Sequence, residues 1–179
     1  LLFWIKLYVL FSGYSDIAIG SARLFGLELM RNFAFPYFSR DIAEFWRRWH
    51  ITLNTWFRDY VYIPLGGSKG GKAMVVRNTM IIFLVSGFWH GASWTFITWG
   101  AINALFFLPL VMTARHKSMS GTVAEGRSLP TFRELGGMLL TFAMACFAWI
   151  FFRAQNMDQA WTVIGRILSP TLFEAPEVS

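Results

Sequence analysis

The chain has 179 residues, of which 55% are hydrophobic, 18% aromatic and only 15% charged. Soluble domains run at about 45–50% apolar and about 25% charged, so a water-soluble fold of this length cannot hide so much apolar surface, and the bilayer is the expected solvent. The net charge of +6 does not indicate a nucleic-acid partner, because the basic residues fall mostly in short connectors between apolar runs, the pattern of positive-inside topology.

Residues 1–30 open with "LLFWIKLYVLF" and form a run long enough to span about 30 Å. The chain begins at Leu1 inside this run, without the basic and small-residue pattern of a signal peptide, and reads as the remainder of a longer membrane portion. Asp16 lies in mid-run, where a carboxylate needs a partner or water. A structural interhelical bond and a functional role are both open for it.

Residues 31–65 are dense in both aromatics and charge. Asp41 and Glu44 have the spacing of a capping box, and Arg40–Glu44 and Glu44–Arg48 are placed for ion pairs one turn apart. Phe45, Trp49, Leu53 and Trp56 share one face by helical spacing. Such a segment suits an interfacial or re-entrant helix, ended by Pro64 and Gly66–Gly67. The following "GGSKGGK" satisfies G-x-x-x-x-G-K, but Ala73 stands where a phosphate-binding loop needs a hydroxyl for Mg²⁺. It reads as a basic, flexible connector.

Residues 74–114 are enough for two spans joined near "GAS", or for one broken helix. Lys69, Lys72 and Arg77 precede them, and Arg115, Lys117, Arg127 and Arg133 follow, so two spans put both basic connectors on one face of the membrane. His116 falls in the polar loop 115–130 and reads as a solvated residue. Residues 135–152 are an uncharged span stopped by Arg153, with Cys146, the single cysteine, as a small packing residue within it. One cysteine excludes an internal disulfide and any Cys-rich metal site. Residues 157–168 place Trp161, Ile164 and Leu168 on one face of a surface helix, and the tail from Ser169 reads as a loop. The expected fold class is all-α: a polytopic transmembrane helix bundle with interfacial or re-entrant helices.

Two histidines stand out. His90 sits in "GFWHGASW" inside the apolar run. Burying a cation in hydrocarbon is costly, so this imidazole is expected to be neutral and able to accept a hydroxyl proton near neutral pH. A hydrogen bond between helices would also explain it, and the residue alone leaves both readings open. His50 lies among Arg47, Arg48 and Arg58 with Trp46, Trp49 and Trp56. Guanidinium groups bind phosphates and stack on aromatics, so this cluster can hold the phosphates of a nucleotide-tailed donor; snorkelling arginines on an interfacial helix are the alternative. Two distant histidines and no H-x-x-x-H pair do not make a metal-ligand set, and no G-x-S-x-G elbow is present.

"FWRRWHITLNTWFRDYVYIPLGG", followed by "GFWHGASWTFITWG", resembles the membrane-bound O-acyltransferase family, in particular its alginate O-acetyltransferase branch. "FSGYSDIAIGSARLFG" and "WIFFRAQNMDQA" are similar to the same branch. The resemblance implies that residues 1–179 are the C-terminal portion of a single membrane domain, with no separate soluble domain, in a multi-pass enzyme of the bacterial cytoplasmic (inner) membrane. It implies an acyl group, acetyl in this branch, moved from a cytoplasmic thioester such as acetyl-CoA to a hydroxyl acceptor on an exopolysaccharide, with periplasmic acetyltransferase partners and no bound cofactor. The family's catalytic histidine matches His90, and its second histidine or asparagine position matches His50. Trp89 and Trp94 are then expected to line the tunnel. Competing readings are D-alanyl transfer to teichoic acid by a related enzyme, a proton-coupled transporter with Asp16 and His90 as its relay, and a non-catalytic membrane anchor.

Overall fold

A computed structural model describes residues 2–113 and 123–169. The expected loop position of His116 and the tail beyond Ser169 lie outside the described residues. Within them the chain is helical, with no strand. Helix α1 covers Leu2–Leu24 and ends in a turn at Phe25–Gly26. An extended stretch and a short 3₁₀ turn, Pro36–Phe38, lead into α2 (Ile42–Arg48) and α3 (Ile51–Phe57), which runs on as a wider π turn over Arg58–Tyr62. Then come α4 (Gly71–His90), α5 (Trp94–Met112), α6 (Phe132–Arg153) and α7 (Met157–Ile167). Helices α4, α5 and α6 are each long and apolar enough to cross a membrane. The run 74–114 is therefore two spans, parted at Gly91–Ser93.

Helices α4 and α5 form an antiparallel hairpin whose backbones touch. A Cβ on Gly87 would lie 2.4 Å from the Phe96 carbonyl oxygen, and one on Gly100 would lie 2.3 Å from that of Phe83. No other residue type fits at either crossing. Small residues are what allow spanning helices this approach, since lipid offers no hydrophobic drive between them. Helix α6 returns antiparallel to α5, with Trp99 against Phe152 and Phe106 against Phe147. Lys69, Lys72 and Arg77 at the start of α4 thus share one end of the bundle with Arg127 and Arg133 at the start of α6. That start is fixed by a capping box: the Glu134 amide donates to Thr131 Oγ1 at 3.3 Å, and the Thr131 amide donates to Glu134 Oε2 at 2.9 Å.

The core is aromatic. Trp49 stacks on Phe45 with ring centroids 5.7 Å apart, meets Trp149 at 4.8 Å, and lies edge-on to Phe33. Tyr8 of α1 packs on Phe33 and Tyr37. Pairs of this kind are worth about 0.5–1.5 kcal/mol each beyond their burial. Cys146 is a free thiol, half-buried against this core.

One expectation is corrected. The face Phe45–Trp49–Leu53–Trp56 does not belong to one helix, because the chain breaks at Trp49–His50; Phe45 and Trp49 are buried while Trp56 is half-exposed beside Tyr60. On α7 the inward residues are Met157, Ala160 and Ile164, whereas Trp161 and Leu168 are exposed. Ala160 is wholly buried because a small side chain lets α7 lie close to the bundle.

Candidate active site

The break that carries His50 is built by a polar cradle. Asp41 caps α2 by accepting from the Glu44 amide at 2.7 Å. Glu44, only 2% exposed, accepts from the Arg40 backbone amide, from Arg40 Nε and Nη2 at 3.1 Å, and from Arg48 Nη2. Arg40 also reaches Glu134 at the start of α6. A carboxylate this deep is tolerable only because two guanidinium groups and an amide surround it. The pattern departs from the expected capping box in one respect: Glu44 accepts from the Arg40 amide rather than from that of Asp41.

After Arg48 the helix stops. His50 takes φ 47°, ψ 55°, the left-handed conformation that side chains other than glycine and asparagine adopt at a cost. Several of the freed backbone groups find partners elsewhere in the chain. The Ala34 amide donates to the Arg48 carbonyl and the Ile51 amide to the Asn32 carbonyl, both at 2.9 Å. Asn54 Nδ2 donates to the carbonyls of Trp46 and Trp49. Irregular backbone at membrane depth persists only with such replacements. Burial pushes the His50 imidazole below its ordinary pKa of 6.5, favouring the neutral ring.

His90 is placed differently. It ends α4, where Gly91 turns the chain and Ser93 caps α5. Its ring meets Trp89, Phe152 and Trp99 edge-on, at centroid distances of 4.8, 4.9 and 5.3 Å.

His50 and His90 line one cavity of about 300 Å³, walled by Trp46, Trp49, Trp89, Trp99, Trp149 and Phe152 and reached by Leu7 and Phe11 of α1. A second cavity, of about 530 Å³, lies toward the basic end of the bundle and contains Arg47 and Arg58 with Tyr62, Val75 and Val111. Trp46 and Asn54 belong to both walls. Along α5 the walls run from Val111 in the basic-end cavity to Trp99 in the histidine cavity, about 18 Å of helix.

Of the residues singled out in the sequence, the fold gathers His50, His90, Trp49 and Trp89 in one cavity and Arg47 and Arg58 in the next. Arg48 lines neither and is bound to Glu44. Arg58 also pairs with Asp59 at 2.7 Å. Trp94 and Asp16 are exposed and line neither cavity, so Asp16 and His90 are not brought together as a relay. Sequence reasoning did not single out Trp99, Phe152 and Asn54. Asn54 had a signal, being one turn beyond His50; Trp99 and Phe152 meet His90 only through the tertiary packing of α5 and α6.

The helical bundle of the described residues, with a broken helix and an aromatic cavity holding two histidines, defines a polytopic membrane protein with an internal cavity. The profile of MBOAT, the membrane-bound O-acyltransferase family, matches residues 1–157, and the chain belongs to that family. It is 42% identical over 164 residues to "Probable alginate O-acetylase AlgI" of Azotobacter vinelandii, covering 92% of this chain and 31% of that protein. It is 41% identical over 159 residues to the peptidoglycan O-acetyltransferase of Helicobacter pylori, covering 89% and 29%. It is 39% identical over 102 residues to the teichoic acid D-alanyltransferase of Streptococcus thermophilus, covering 53% and 25%. The chain thus spans less than a third of the length of each of these relatives.

Proposed function

We propose that this chain carries the acyl-transfer centre of an O-acyltransferase that moves an acetyl group from a thioester to a hydroxyl of an exported glycan, with His90 as general base. The observation that supports this reading most directly is that His50 and His90, forty positions apart in the chain, line one aromatic cavity. His90 takes the hydroxyl proton as the oxygen attacks the thioester carbonyl. The thiolate leaves with little acid assistance, because thiols ionise near pH 8.5. His50 supports the reaction from the same cavity. General-base help is worth about 10²–10⁴-fold, and confinement of the two reactants supplies much of the rest. Exclusion of bulk water limits wasteful hydrolysis of the thioester.

In this reading the donor, acetyl-CoA or another acyl thioester, rests its phosphates by Arg47 and Arg58, and its acyl end passes the shared Trp46–Asn54 wall. The basic end of the bundle then faces the cytoplasm of a bacterial inner membrane, and the histidine cavity lies toward the acceptor side. Residues 1–179 belong to a single membrane domain, and periplasmic acetyltransferase partners hand the group to the polymer. The names of the relatives point to a glycan acceptor; alginate-like exopolysaccharide is the choice favoured by "YIPLGG" and "FFRA", with D-alanyl transfer to teichoic acid the runner-up. The test is polymer-bound acetyl in cells making the full-length protein, wild type against His90→Ala and His50→Ala. Loss of acetyl at undiminished membrane abundance is expected for His90→Ala; wild-type acetylation by that variant would overturn the assignment.

A further inference from the structure

The two cavities share two lining residues, Trp46 and Asn54. A thioester that reaches from the basic-end cavity into the histidine cavity passes beside both. The Trp46 indole is a donor only. A hydrogen-bond acceptor offered by a side chain at this wall is therefore Asn54 Oδ1.

The structure fixes how that amide stands. Asn54 Nδ2 carries two protons and donates to the carbonyls of Trp46 and Trp49, at the end of α2. Turning the amide over would set its oxygen against two carbonyl oxygens, so the network assigns which atom is which. Oδ1 therefore faces away from those carbonyls. The Asn54 backbone amide donates to the His50 carbonyl at 3.0 Å, which sets the side chain one helical turn, about 5.4 Å, beyond the histidine. Among the described residues nothing donates to Oδ1. The buried polar side-chain atoms left without a partner there are Trp46 Nε1, Trp99 Nε1 and His50 Nδ1. Asn54 Oδ1 is not one of them, so it keeps accessible surface, on a side chain that lines both cavities.

We propose that Asn54 Oδ1 accepts a hydrogen bond from the amide N–H of the donor's arm as the arm threads this wall, a role that rests on the acyl-transfer reading above. Thioesters of CoA and of acyl carrier proteins share that arm: two methylenes lead from the sulfur to a secondary amide. Sulfur and amide nitrogen lie about 4 Å apart in an extended arm, from bonds of about 1.5 Å. With the N–H on Asn54, the sulfur falls within about one helical turn of it, toward His50, and the acyl carbon enters the histidine cavity. Oδ1 is uncharged, so it adds no buried ion to an aromatic wall. A single acceptor among apolar neighbours favours an arm that brings one N–H at this spacing and leaves Oδ1 unpaired when the arm has none.

The experiment uses the full-length protein in inside-out membrane vesicles, read as labelled acetyl transferred to acceptor. Two donors are compared: the natural arm, and one in which an ester oxygen replaces the N–H nearest the sulfur. Each is presented on CoA and on an acyl carrier protein, and the form that supports transfer identifies the source of the arm. Wild type and His90→Ala set the scale with the natural arm. No transfer by wild type from either form, or full transfer by His90→Ala, overturns the acyl-transfer reading and this proposal with it. With that scale set, wild type is expected to lose about 10-fold in kcat/KM on the ester arm, a measurement that needs no variant. Asn54→Ser keeps a hydroxyl for one of the two carbonyls and withdraws the oxygen from the wall. It is expected to be slower with the natural arm and to use both arms alike; Asn54→Ala takes its place if it fails to accumulate. A mere loosening of the break at His50 would slow both arms together and leave their ratio unchanged. Equal use of both arms by wild type, or a preference that the variant retains in full, overturns the role of Asn54 while that of His90 stands.

Discussion

His50 sits on a left-handed turn between two seven-residue helices, whereas His90 ends a helix of 20 residues. The first position is held by hydrogen bonds and ion pairs: Glu44 with Arg40 and Arg48, Asn54 on two carbonyls, and residues 32–34 laid along the break. The second is held by contact alone, through the crossings at Gly87 and Gly100 and the rings around His90. A regular helix satisfies its own backbone and can be placed by packing. A broken one must find a partner for every freed group, so the segment around His50 needs its charge and its asparagines.

The contrast can be broken most strongly at Glu44. Glu44→Ala leaves the Arg40 and Arg48 guanidinium groups without the carboxylate between them, and a loss of about 3–5 kcal/mol is expected, read as thermal unfolding of the full-length protein in detergent. A variant as stable as wild type would mean that the polar cradle is dispensable. Next is Gly100→Val, whose side chain meets the Phe83 carbonyl and must push α4 from α5. About 3 kcal/mol is expected, the upper part of the usual range for overpacking, because the obstacle is backbone. An undiminished melting temperature would show that the hairpin is not placed by that crossing.

The smallest effect sharpens the comparison by pH. Burial holds His50 below its ordinary 6.5, so as pH falls the unfolded chain takes up this proton before the folded one. Stability from this site is complete above pH 6.5 and declines as pH drops below it toward the folded-state value. His50→Asn removes the titrating ring while keeping a residue that tolerates the left-handed backbone, and it should flatten part of the decline. Parallel curves for the two proteins would show that the decline has another source.

Much of this architecture is legible in the sequence because it depends on length and apolar character. The spans α4, α5 and α6 and the polar segment at 31–65 fall where hydropathy and charge place them, whereas α1, in the run 1–30, is not among the helices apolar enough to cross. The break at His50 was hidden, since one left-handed residue between two short helices leaves the spacing of Phe45, Trp49, Leu53 and Trp56 outwardly helical. The seat of α7 on the bundle gave no signal, because close packing selects the small Ala160 rather than a large apolar residue. The pairing of His50 with His90 was suggested by resemblance and by composition, not by spacing. Trp99 gave no signal of its own, because its place depends on where α5 crosses α4.

The wall shared by the two cavities is one side chain thick at Trp46, with Phe45, Phe83 and Trp99 interlocked around it. A hydrated ion at that wall would have to shed its water against aromatic faces. An uncharged acyl group meets no such barrier. For the acyl transfer proposed above, such a partition would pass a chemical bond while staying closed to current.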